Sequence, residues 1–219
     1  MRAAALHAPG DLRVEEVPRP EAGPGGILVQ VEVALTDGRE LRHDFSGIVD
    51  GRRVVAPTDS VRAGALSEWL VVPEDSLLGV PNGLAPEVAA LVGPLAGCLL
   101  RVERAELTAG DVVTILDVGT TALLLAACVA DAGGWPVVVD AVEHASEFGA
   151  HPGDGHVDVE LEPAASSPHT PATVRAALGF LASGAYPWEL LITHRVLLDD
   201  LPRLFADPPA GLLTAAVVM

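Results

Sequence analysis

Residues 112–139 read VVTILDVGTTALLLAACVADAGGWPVVV, and this stretch decides the fold class. VVTILDVG is a short apolar, β-branched run with the length of a buried strand. TTALLLAACVADAGG has helix-forming composition and stops on two glycines, and WPVVVDA repeats the buried-strand pattern. A strand, a crossover helix and a second strand predict a βαβ unit, hence a parallel pair, so the chain is expected to be α/β.

Upstream, from Arg2 to Val80, short β-branched runs (LRVEEVP, ILVQVEVAL, RRVVAP, EWLVVP) are separated by Pro- and Gly-rich turns. Strands this short and this closely punctuated predict a small, partly closed β-barrel. The character changes at Leu84. LAPEVAALVGPLAGCLLRVERAEL is helix-compatible with an interruption expected at Gly93-Pro94, and Thr108 to Asp111 reads as a turn, so the hinge between domains falls here. Downstream of Ala141, a polar segment of about thirty residues contains one predicted strand, His156 to Leu161, before the helical run TPATVRAALGFLASG. The tail reads as strand, helix, strand.

The chain has 219 residues, half of them hydrophobic, which is enough for a sizeable core. Its thirteen basic residues, all Arg, stand against thirty acidic ones for a formal charge of -17. Such a field repels phosphate backbones and anionic lipid, so neither nucleic acid nor membrane is expected as a partner. No charged-then-apolar leader and no membrane span are read, which points to a cytoplasmic protein. Cys98 and Cys128, the only cysteines, lie in apolar runs and are expected to behave as small hydrophobes. No Gly-x-Ser-x-Gly elbow is present, so hydrolase chemistry has no support.

Several segments resemble, in order, the zinc-type medium-chain alcohol and polyol dehydrogenases: MRAAALHAPGDLRVEEVPRPEAGPGGILVQVEVAL, HDFSGIVDGRRVV, GALSEWLVVPEDSLLGVP, GPLAGCLL and ELTAGDVV. The tail GFLASGAYPWELLITHRVLLDDLPRLF is similar to the family's return from the cofactor domain. The resemblance implies a GroES-like β-barrel domain at residues 1–92, completed by 184–219, and a truncated Rossmann-like parallel-sheet domain at 93–183. It also implies a catalytic zinc and a nicotinamide in the cleft between them.

The departures from the family fall on those two cofactors. Catalytic zinc needs three Cys, His or carboxylate ligands and an open position. The family's first Cys is matched by Thr36, with Asp37 beside it; its Gly-His-Glu becomes Arg42-His43-Asp44; its third ligand falls at Gly93, which has no side chain. No zinc is expected, and His43 with Asp44 or Asp37 reads as a metal-free acid/base pair. The dinucleotide fingerprint keeps Gly119 alone, with Ala122 at the third position and Asp117 in place of the first glycine. An acidic side chain there is expected to oppose a diphosphate at the helix N-terminus. In favour of a cofactor, Asp140 ends the second strand, where a carboxylate bonds a ribose hydroxyl and prefers NAD. Arg195, in Thr193-His194-Arg195, falls where the family faces the cleft. His151, Asp154, His156 and Asp158 crowd one loop, for which ordinary solvation is the expectation.

Half of the usual sheet is missing by length, which leaves an edge to be covered, and self-association is one way to cover it. Three functional readings follow. The leading one is a repurposed, cofactor-free enzyme that performs cyclisation, isomerisation or dehydration on a small molecule, with His43, Asp44 and Asp37 as acid and base. The second is a zinc-free NAD(P)-dependent oxidoreductase of a small carbonyl or enone, binding cofactor through Gly119, Asp140 and Arg195. The third is a non-catalytic partner protein.

Overall fold

The computed structural model describes residues 1–8, 10–38, 44–57, 65–139, 143–153, 159–161 and 169–219. The chain opens with a hairpin of β1 (Arg2–Ala8) and β2 (Asp11–Glu16). Then come β3 (Gly26–Thr36), β4 (Phe45–Val49), β5 (Arg52–Val55), β6 (Trp69–Pro73) and β7 (Leu78–Gly79). Helices α1 (Pro86–Ala89) and α2 (Val92–Arg104) lead into β8 (Val112–Ile115), α3 (Gly119–Asp131) and β9 (Trp135–Val138). After β10 (His151–Pro152), β11 (Val159–Glu160) and α4 (Pro171–Ala182), the chain closes with β12 (Ile192–Leu197), α5 (Leu201–Ala206) and β13 (Thr214–Val218).

Among the described residues the first sheet runs β12-β13-β3-β4-β5-β7, with β6 also on β3. The two C-terminal strands thus pair into the N-terminal sheet through β3, as Ala215 opposite Thr36 and Val217 opposite Ala34. Strand β3 has eleven residues and serves two cores. Val29 and Val31 point into the cluster with Phe45, Leu70 and Leu201. The pairing of β3 with β4 shifts between Val31 and Val33, and beyond the shift Val33 and Leu35 join the other cluster, with Leu91 and Ile115. An extra residue in one strand reverses which face its side chains take. That reversal turns the end of β3 toward the helices.

The second sheet is parallel throughout, in the order β10-β9-β8-β11. Read as third, second, first and fourth strand, this is the opening part of the doubly wound order 3-2-1-4-5-6. Among the described residues its two outer strands have two residues each. Helix α3 carries eight consecutive buried residues, Ala122 to Val129, so it is enclosed on every side, and α2 packs against both α3 and α4. A helix buried all round has no polar stripe to read.

One expectation changes in detail. The break in the first helical run lies at Ala90-Leu91, because Pro94 sits in the first turn of α2, where no intrahelical N–H bond is required of it. Of the strand expected at His156 to Leu161, Val159–Glu160 is present as β11, and His156 to Asp158 lie outside the described residues. The turn at Thr108 to Asp111 is present. Its Asp111 carboxylate accepts from the Thr108 backbone N–H at 2.8 Å and from the Thr108 hydroxyl at 2.7 Å. These bonds, the backbone one first, hold the Asp111 carboxyl below its ordinary range. No helix among the described residues is long and apolar enough to cross a membrane.

Two outcomes follow from this packing. Leu124→Ala removes a fully buried side chain from α3 and should cost about 2–5 kcal/mol in urea unfolding. Because the folded Asp111 carboxyl titrates below its unfolded value, its contribution exists above the unfolded pKa and disappears as pH falls through the folded one. The stability gap between wild type and Asp111→Ala should therefore be full at about pH 7 and close below about pH 4.

Candidate functional site

The first sheet, the N-terminus of α3 and the connection from α5 to β13 line a cleft of about 440 Å³, within the range of small-molecule sites. One wall is the end of β3 and the start of β4, contributing Leu35, Thr36, Asp37 and Asp44. The backbone N–H of Leu35 donates to the Asp44 carbonyl at 2.9 Å, and the Gly38 N–H donates to the Thr36 hydroxyl at 3.1 Å. Asp44 is buried and Asp37 partly so. The second wall is the N-terminus of α3, with Val118, Gly119, Thr120 and Thr121. The third is Pro208 to Thr214, the connection from α5 to β13. Thr120 and Thr214 hydroxyls meet at 2.6 Å and tie the second wall to the third.

The N-terminus of α3 is open. Val118 at its N-cap supplies no side-chain hydrogen bond to the first turn, and Gly119 adopts a left-handed φ of +61°, with nothing within 4 Å of where a Cβ would stand. Unpaired first-turn amides at such a terminus favour an anion. The Asp117 carboxylate, in the turn before this terminus, receives the Arg101 guanidinium at 2.7 Å. Arg101 reaches from α2, is 8% exposed in its side chain, and also donates to the Leu161 carbonyl at 3.3 Å. It thereby joins the ends of β8 and β11, the two strands between which the chain changes direction. Ligands of doubly wound sheets bind at the carboxyl ends of strands beside such a point.

The predicted residues divide. Asp37, Asp44 and Gly119 share the cleft. His43 and Asp140 lie outside the described residues, as do Asp154 and Asp158. Arg195, expected at the cofactor, is absent from the residues lining the cleft; on β12 it is exposed and pairs with Glu87 of α1 at 2.9 Å. His151 stacks flat on Trp135 with ring centroids 3.7 Å apart. Sequence reasoning missed Arg101, Thr120 and the Pro208–Thr214 wall. Arg101 had a signal: a lone charge among Leu95, Cys98 and Val102 on an otherwise apolar helix face, while an acid stood in a glycine position at 117.

The cleft offers the carboxylates of Asp37 and Asp44 and several hydroxyls; among the described residues no three His, Cys, Asp or Glu side chains gather, and His43 lies outside them. Cys98 and Cys128 are buried. Burial pushes the Cys98 thiol up to about 12 and raises that of Cys128 as well.

No family model matches the chain. It is 25% identical over 209 residues to a zinc-type alcohol dehydrogenase-like protein of Haemophilus influenzae, covering 72% of this chain and 61% of that one. It is 24% identical over 192 residues to the (R,R)-butanediol dehydrogenase of Bacillus subtilis, covering 61% and 56%. The chain therefore matches about three fifths of the length of these curated relatives. A zinc-binding dehydrogenase of Sinorhizobium meliloti, solved with NADP bound, superposes with a TM-score of 0.81 at 21% identity, over 100% of this chain and 99% of that one. The fold is that of the medium-chain dehydrogenase/reductase superfamily. The expectation that a medium-chain dehydrogenase-like chain this short works without a cofactor gains no support from a neighbour that carries NADP.

The buried thiols supply a direct check on the packing of α2 against α3. Native protein at about pH 8 should leave both cysteines unlabelled by a thiol reagent, and labelling should become complete in denaturant; rapid native labelling would show that one of them reaches solvent.

Proposed function

We propose that the protein is a nicotinamide-dependent oxidoreductase acting on a small carbonyl or alcohol in the cleft between its first sheet and the N-terminus of α3. The observation that carries this reading is the open, uncapped N-terminus of α3, with the Cβ side of Gly119 empty, lining that cleft. Bound there, a nicotinamide nucleotide would supply or accept the hydride. The first-turn amides at Gly119, Thr120 and Thr121 hold the anionic part of such a ligand. The apolar wall of Pro208, Pro209, Leu212 and Leu213 excludes water from the opposite side. The Asp44 carboxylate, buried at the cleft, exchanges the proton at the substrate oxygen.

The similarity to dehydrogenases, one of them NADP-bound, supports this reading over cofactor-free acid/base catalysis. The acid/base reading rested on His43, which lies outside the described residues. Titration of the protein, its zinc content recorded, with NADH and with NADPH should give saturable binding of at least one by nicotinamide fluorescence. Failure of both to bind up to about millimolar concentration would sink the proposal. With a substrate in hand, Asp44→Asn should lower kcat by about a hundredfold or more and leave nucleotide binding unchanged.

A further inference from the structure

We infer that Arg101 is the residue that makes the β8–α3 turn acceptant of an anion, by cancelling the charge that Asp117 brings to it; this rests on reading that turn as a nucleotide site. Asp117 stands immediately before Val118 and Gly119, within the turn that leads into the open end of α3, and its side chain is 27% exposed. Alone, its carboxylate would place a full negative charge beside a helix end worth about half a positive one, and the turn would repel phosphate. Arg101 changes that balance. Its guanidinium lies beneath the turn, nine-tenths buried, with one nitrogen shared between the Asp117 carboxylate at 2.7 Å and the Leu161 carbonyl at 3.3 Å. Its Nε is buried with no hydrogen-bond partner, so the cation is held there at the expense of one unsatisfied donor.

A purely structural tie does not need a charge at this place. An apolar pair of similar volume usually serves a protein interior at least as well as a buried ion pair. The pair instead keeps the turn neutral beside a helix end that no N-cap side chain occupies. Arg101 is therefore a positioning residue: it acts on a bound phosphate through Asp117, without being one of the residues that line the cleft.

The test is a charge series on the turn, read with NADH and, as an uncharged probe of the same pocket, adenosine. Arg101→Met leaves the turn at about -1, wild type and Arg101→Met/Asp117→Asn at about zero, and Asp117→Asn at about +1. NADH affinity should rise in that order, with steps of about tenfold and the double variant close to wild type, while adenosine affinity stays constant. If Arg101→Met does not fold, Asp117→Asn must still bind NADH more tightly than the double variant. Equal NADH affinity across the series overturns the inference. So does a parallel loss of adenosine, which would mean that Arg101 only maintains the pocket. Binding by Asp117→Asn but not by wild type would also overturn it and leave the nucleotide site standing. No NADH binding in any variant would remove the nucleotide reading and this inference with it.

Discussion

Strand β3 must serve two cores at once, and the register shift between Val31 and Val33 is what lets it do so. Before the shift its apolar side chains fill the interior of the first sheet; after it, Val33 and Leu35 pack against Leu91 and Ile115 in the helical layer. Side-chain direction alternates strictly along a strand, so without that irregularity Val33 would share the face of Val31 and the two sheets would have no common apolar contact through β3. Thr36 and Asp37 follow directly, and β4 returns Asp44 beside them. One wall of the cleft is thus a consequence of where the pleat reverses.

The other walls depend on side chains that cross between elements. Arg101 links α2 to the ends of β8 and β11, and Thr120 links α3 to the start of β13. The first of these contacts lies at the end of β11, whose two described residues contribute little ladder of their own. Removing one partner of a buried ion pair typically costs about 3–5 kcal/mol, because the other charge is left in a poorly solvated place. The constraint that stabilises this end of the sheet therefore also decides what charge a ligand meets there.

The similarity to the NADP-bound dehydrogenase extends over the whole fold at 21% identity, and the curated relatives match 72% and 61% of the chain at 25% and 24% identity. What is particular to this chain lies in its departures from that pattern. An acid in a glycine position looked from the sequence like damage to the cofactor turn. In the structure it is half of a pair, and its partner is a buried arginine sixteen residues earlier.

The sequence by itself determined the βαβ unit, the parallel pairing, the strand-rich N-terminal part and the return of the tail, because apolar runs, glycine stops and turn residues report local burial and local backbone preference. It also named Asp37, Asp44 and Gly119, which share one cleft. The break at Ala90-Leu91, the place of Arg195 in a surface pair with Glu87, and the meeting of Arg101 with Asp117 were decided only by the tertiary structure. So was the closing of the cleft by Pro208 to Thr214, which lies some ninety residues along the chain from the helix end it faces. Periodicity tells which residues are covered but not by what. Which charge meets which, and which loop walls a site, depend on how covered faces stack in three dimensions, and the chain carries that information only as a whole.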